Sequence, residues 1–352
     1  MIDLRTDTIT RPTEAMLSAM AEATQGDDSR DGDSTVMQLE ALAAERTGKE
    51  AGAYMPSGTM TNLVAVLARA RPGGEVLLEQ SAHILVSEIG GIAGLAGMFH
   101  RAVAGQRGAM DIEMLREKIR PMTRNNLGTA LICMETSHNQ AGGAVLPLAH
   151  MKAVYELAQA HDIPVHTDGA RLFNAAVALG VEAKAIAQYT DSVGFCVSKG
   201  LSAPVGSVLC GGKDFIERAR TFRRMVGGNM RQAGGLAAAG IVALNSMVNR
   251  LQEDHANAQR LAVGLEKIDA RLCRAADVET NLVRVDVSFT GRSAEQWSAA
   301  LGKLNIAVSP ADTRSLRFVT HRHISTADAD QALTAFQQVW RQAASPSPLG
   351  KS

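Results

Sequence analysis

The chain has 352 residues, 46% of them hydrophobic, 20% charged and 4% aromatic. That balance excludes a disordered protein and allows two domains, or one large α/β unit with an appendage. Its 36 basic residues equal its 36 acidic ones at a pI near 7.1, which leaves no global field for nucleic acid or an anionic membrane.

The first residues, MIDLRTDTIT, carry charges at Asp3, Arg5 and Asp7 and no apolar h-region. No window holds the roughly 18 apolar residues of a membrane helix, so a cytoplasmic protein acting on small molecules is expected. Ser34 and Thr35 are expected to cap a helix through Leu39 and Ala43 that stops near Gly48. In PSGTMTN, Pro56 to Asn62, Ser57, Gly58 and Thr59 open another helix that ends before Pro72. The apolar runs EVLLE from Glu75, TALICME from Thr129, IPVHTD from Ile163 and SVGFCVS from Ser192 read as strands. GSVLCG from Gly206 is a fifth, and the short loop before it allows one antiparallel strand. After Pro147, the stripe Met151, Val154, Tyr155 and Ala158 marks a helix between two of these strands.

This alternation predicts an α/β fold with a mostly parallel central sheet. A long helical stretch from Gln232 to about Gln259 is expected to lead into a smaller α+β domain. There the strands are NLVRVDV from Asn281 and SLRFVT from Ser315, with helices opening at Ser293 and Thr326. The expected division is 1–250 for the large domain, with 1–30 contributing to its site, 251–345 for the small one, and 346–352 as a disordered tail. Cys133, Cys196, Cys210 and Cys273 show no metal-ligand spacing and read as reduced thiols.

Three clusters fall at loop or strand-end positions. Free N–H groups at the helix start Ser57, Gly58 and Thr59 favour an anion, although a capped helix start is also ordinary in α/β proteins. Asp168, in HTDGARLFNA, ends a strand on the side where open α/β sheets bind ligands. It could equally cap the next helix, with Arg171 as a local ion-pair partner. Lys199, in VSKGLSAPVG, has no acidic residue between Asp191 and Asp214 to neutralise it. A loop lysine reaching solvent is the plain alternative. The order of anion cradle, carboxylate and isolated amine matches what pyridoxal phosphate needs: an anchor for its phosphate, an acid for its pyridine nitrogen and an amine for a Schiff base. His83, after the strand from Glu75, could lie over the cofactor ring or be a satisfied loop histidine.

The chain resembles the low-specificity L-threonine aldolases, pyridoxal-phosphate enzymes of the aspartate aminotransferase fold (fold type I) grouped with the β-eliminating lyases. The residues that carry the likeness are MIDLRTDTITRPT, PSGTMTNLVA, the His83 segment, ETSHNQAGG, HTDGARLFNA, VSKGLSAPVGSVL, MRQAGGLAAAG and LRFVTH. They run in family order from residue 1 to about 321. The resemblance implies Lys199 as the Schiff-base lysine, Asp168 on the pyridine nitrogen and Ser57, Gly58 and Thr59 on the phosphate. His83 would stack on the ring, and it or a water it holds would serve as base. Arg171 and Arg317 would fix the substrate carboxylate, with Thr6 beside them, and Arg231 would reach a phosphate from a neighbouring subunit. A homotetramer with shared active sites is implied.

Several positions depart from the family pattern. Thr6 replaces the usual serine, Arg30 stands where an active-site tyrosine is usual, Ser87 replaces a bulky aromatic, and Asn125 falls near an expected second histidine. The expected reaction is cleavage of an L-β-hydroxy-α-amino acid to glycine and an aldehyde, with a bulkier or acidic side chain favoured. β-Elimination or racemisation on the same cofactor, and a non-catalytic pyridoxal-phosphate regulatory protein, are the rival readings.

Overall fold

The computed structural model describes residues 1–344 and divides the chain into two compact units. The larger unit comprises Thr10–Gln140 and Ala144–Asn249. Its centre is a seven-stranded sheet formed by β1 (Ala51–Met55), β2 (Glu75–Glu79), β3 (Phe99–Val103), β4 (Thr129–Glu135), β5 (Val165–Asp168), β6 (Ser192–Cys196) and β7 (Ser207–Gly211). The spatial order is β1-β7-β6-β5-β4-β2-β3. Only β7 runs antiparallel to its neighbours, with Ser207 opposite both Met55 and Cys196. The other six strands therefore point one way, and their C-terminal ends share one edge.

All residues of β2, β4, β5, β6 and β7 are buried, which is why most of them read in the sequence as short apolar runs, whereas β5 (VHTD) is recognised from the Ile163-Pro164-Val165 stretch that leads into it. Two strands escaped that reading. β1 (AGAYM) is rich in Gly and Ala, and β3 (FHRAV) is an edge strand whose first two residues are exposed.

Helices cover the sheet, and their starts follow from capping chemistry. α1 (Ser34–Thr47) is capped by the Asp33 carboxylate, which accepts from Thr35 and Val36 N–H at 3.0 and 3.2 Å. The cap is thus one residue before the expected Ser34, because a carboxylate at that station satisfies two orphan donors at once. α2 (Gly58–Arg69) begins at Ser57, whose hydroxyl accepts from Met60 N–H at 3.2 Å. α3 (Leu148–Gln159) buries Met151, Val154, Leu157 and Ala158, and Tyr155 is only half-buried at the stripe's margin.

The smaller unit comprises Met1–Ile9, Ala141–Gly143 and the chain from Arg250. Its three-stranded antiparallel sheet is formed by β8 (Leu282–Asp286), β9 (Ser309–Pro310) and β10 (Ser315–Val319), with β10 in the middle. Trp297 stacks on Phe336 with ring centroids 4.7 Å apart, and both are fully buried. Residues 1–9 fall in this unit rather than in the large one, because Ile2 and Asp3 pair in parallel with Ile306 and Ala307. The expected helix from Gln232 is not continuous: Gly234–Val242 runs into a π-helical turn, Ala243–Met247, and a new helix spans Leu251–Ile268. Among the described residues no helix is long and apolar enough to cross a membrane. The expected tail, 346–352, lies outside the described residues.

Candidate active site

The C-terminal edge of the parallel strands gathers the reactive side chains of the larger unit. β1 delivers Ser57 at the start of α2, where Gly58 and Thr59 occupy the first turn and their N–H groups have no intrahelical acceptor. A Cβ on Gly58 would lie 2.8 Å from Cys196 Sγ, so only glycine lets this helix start press against the end of β6.

Lys199 follows β6 on a loop that returns through Gly206 into β7. The loop backbone is tied down closely. Thr10 Oγ1 donates to the Lys199 carbonyl at 2.7 Å, Ser202 N–H donates to the same oxygen at 2.9 Å, and Val197 N–H donates to Gly206 O at 3.1 Å. Gly206 has φ +112°, and Tyr54, whose hydroxyl donates to Val205 O at 2.9 Å, fills the space a side chain there would need. Lys199 itself is half-buried, and among the described residues its ammonium has no ion-pair partner.

Asp168 closes β5 and is buried. Its Oδ1 accepts from Ala170 N–H at 3.0 Å within the turn before the helix Leu172–Leu179, whose N-cap is Arg171 and which has no side-chain cap, so Asp168 does not cap it. Its Oδ2 accepts from Asn62 Nδ2 at 2.8 Å. Arg171 is buried at the start of the helix Leu172–Leu179, three residues further on.

His83 follows β2, and its Nδ1 lies 2.9 Å from Glu88 Oε1. That carboxylate raises the His83 pKa against the opposing effect of burial. Burial raises Glu88 in turn, against the hydrogen bonds from His83 and Asn62. The ligand atoms of His83, Glu88 and Asp168 all lie within 4.8 Å of one another. Behind them Glu135, the last residue of β4, accepts from the N–H groups of His83 at 2.6 Å and Asn139 at 2.7 Å.

Asn62, Glu88, His166 and Glu135 escaped the sequence reading as site residues. The available signal was Asn62 itself, an amide followed at once by the apolar run LVAVLA of α2.

The remaining expected residues are placed as follows. Arg30 is exposed on a tight turn closed by Asp27 and Gly32. Arg231 pairs within the same chain with Asp27 at 3.3 Å and with the Ser29 hydroxyl, so it braces that turn. Ser87 is exposed and ends the short helix His83–Val86. Asn125 is not brought to this edge. It lies on an exposed turn between Thr123 and Asn126, before β4 begins, so the whole of Thr129–Glu135 separates it from the strand ends that carry Asp168. Matching along a sequence cannot show at which end of a strand a residue falls. Thr6 and Arg317 belong to the smaller unit, where Arg317 Nη2 donates to the carbonyl of Arg5, next to Thr6, at 3.4 Å.

The model of the beta-eliminating lyase family matches residues 3–288. The low specificity L-threonine aldolase of Escherichia coli (strain K12) is 43% identical over 330 residues, covering 92% of this chain and 95% of that one. Among solved structures, the Leishmania major threonine aldolase superposes with a TM-score of 0.82 at 17% identity, covering 97% of this chain and 100% of that one. SPT with pyridoxal phosphate superposes at 0.77 and 19% identity, covering 97% and 88%. With the family model across most of the chain and a curated relative this similar over nearly its full length, the chain belongs to the beta-eliminating lyase family, and its fold is that of the pyridoxal-phosphate enzymes of fold type I.

Proposed function

We propose that this lyase binds pyridoxal phosphate and cleaves L-β-hydroxy-α-amino acids of the threonine type to glycine and an aldehyde. One observation carries the reading: a half-buried amine with no acidic partner among the described residues, Lys199, shares a sheet edge with a buried carboxylate, Asp168, and a glycine-opened helix start. These residues fit the group chemically. Ser57, Gly58 and Thr59 supply donors for its phosphate, Asp168 an anion for its pyridine nitrogen, and Lys199 an amine for its aldehyde. When bound, the cofactor supplies an electron sink for the pair released as the Cα–Cβ bond breaks.

The protein's own work is to position and to move protons. Arg171 is assigned to the substrate carboxylate, where a bidentate guanidinium would fix the orientation of the bond to be broken. The family pattern gives Thr6 and Arg317 to the same substrate group. His83 is assigned as the base for the β-hydroxyl proton. With Nδ1–H donated to Glu88, neutral His83 leaves Nε2 as its lone-pair atom, and the raised pKa helps it keep the proton once taken.

Arg30 and Ser87, replacing aromatic residues of the family pattern, make a bulky or acidic side chain the better substrate. The exposed apolar side chains Val86, Ile89 and Leu95 in the segment after β2 support a homo-oligomer, which we assign as a tetramer in the cytoplasm. Product analysis on L-threonine, allo-threonine, phenylserine, serine and hydroxyaspartate tests the reaction. Glycine with an aldehyde is expected, whereas ammonia with an oxo-acid, or the D-enantiomer, would overturn the assignment. Equal rates across the panel, unchanged by Arg30→Tyr, would overturn the side-chain preference.

A further inference from the structure

The hydrogen bonds around Asn62 leave no freedom in who donates to whom. Its Nδ2 lies 2.8 Å from Glu88 Oε1 and 2.8 Å from Asp168 Oδ2, so its two amide protons go to two different carboxylates. Flipping the amide would turn its oxygen onto both of them. Its Oδ1 lies 3.2 Å from His166 Nε2 and can only accept, so the His166 proton sits on Nε2. Nδ1 then accepts from the Ser192 hydroxyl at 3.0 Å. Asn62, His166 and Ser192 are all buried, and burial pulls the His166 pKa down to about 4, which keeps the ring neutral as this arrangement requires.

We propose that Asn62 is a positioning residue for the cofactor edge, aiming Asp168 at the pyridine nitrogen and Glu88 at His83, with His166 and Ser192 fixing its amide from behind. This rests on the cofactor reading above. The chain of contacts joins the two residues assigned to opposite features of the cofactor, its ring face and its ring nitrogen, through one amide group. Without that amide, two buried carboxylates would face each other with no shared donor, and like-charge repulsion with desolvation would drive protonation. The titratable groups around Asp168 are His83, Glu88, Cys133, Glu135, His138 and His166. None of them can replace an amide that gives one proton to each acid.

The test uses Asn62→Leu, which keeps the volume and removes the donors. Apoprotein titrated with pyridoxal phosphate should bind about tenfold more weakly than wild type near pH 6.5, the deficit shrinking towards pH 9 as the carboxylates lose their protons again. No deficit, or one independent of pH, overturns the proposal, since a merely structural defect would not follow pH. A second measurement needs no variant: in wild-type apoprotein, nitrogen NMR should show His166 as the neutral Nε2–H tautomer between about pH 5.5 and 8. A Nδ1–H tautomer or a protonated ring overturns the proposal even if Asn62→Leu does not fold. If wild-type protein takes up no pyridoxal phosphate at all, the cofactor reading itself has failed, which the wild-type titration distinguishes from failure of Asn62 alone.

Discussion

The two ends of the central sheet handle buried carboxylates in opposite ways. Where β2 begins, Glu75 is held by the guanidinium of Arg101 at 2.5 and 3.2 Å, with Arg120 at 3.7 Å, and both arginines are partly exposed. Where β2, β4 and β5 end, Glu79, Glu135 and Asp168 are buried, and their partners include backbone N–H groups, the Asn62 amide and the His138 imidazole. Burial pushes Glu79 upward, yet His138 and the two Ser81 donors outweigh it and leave its pKa lowered. Burial wins at Glu135, whose pKa is raised despite His138. A guanidinium at the rim neutralises its carboxylate, whereas the backbone N–H and amide donors on Asp168 orient it and leave its charge available to a ligand. One end of the sheet is arranged for stability and the other for binding.

Substitutions that separate the two ends should rank by their distance from the chemistry. Lys199→Ala is expected to act most strongly, abolishing the visible absorption of bound cofactor and lowering turnover by more than about 10⁴-fold. Retention of both would remove Lys199 from the mechanism. Asp168→Ala should weaken cofactor binding by about 10- to 100-fold, measured by titrating apoprotein, because a charge-assisted hydrogen bond is worth roughly 1.5–3 kcal/mol.

Glu88→Gln should lower the His83 pKa, followed by NMR, and reduce turnover by about tenfold or more. The sign follows from linkage. Because the His83 pKa is raised above 6.5 in the folded state, its share of stability is present below pH 6.5 and is lost as pH rises through the folded value. The variant should therefore lose that pH dependence in its melting curve. Arg101→Ala, at the opposite end, should cost no more than about 1 kcal/mol in denaturant unfolding and leave cofactor affinity unchanged. If Arg101→Ala weakened the cofactor as much as Asp168→Ala, the contrast between the ends would collapse.

The same contrast explains what the sequence made legible. β2, β4, β6 and β7 were readable because complete burial imposes a largely apolar run, and β5 through the apolar residues that lead into it. The edge positions of Lys199, Asp168 and His83 were readable because each stands at or just beyond the end of such a run, and that of Ser57 because it opens a helix. Asn62 and His166 were not, since they sit inside a helix and a strand and find each other across 104 residues. Asn125 was misplaced for a related reason: its motif neighbours are close in sequence, but a fully extended strand lies between them and the site. One-dimensional order reports which residues stand at boundaries. It does not report which interior polar groups meet.

The lysine loop has a kinetic meaning of its own. Thr10, Ser202 and Gly206 hold the backbone around Lys199, while the ammonium at the far end of the side chain has no ion-pair partner among the described residues. In the role proposed for it, the Lys199 nitrogen is a tethered reagent, its range set by the reach of four methylene groups. For a ligand already anchored by its phosphate, capture by that nitrogen is an intramolecular event, governed by an effective concentration of at least about millimolar rather than by a second collision. Lengthening this loop by one residue would spare every side chain at the site and still dilute the amine.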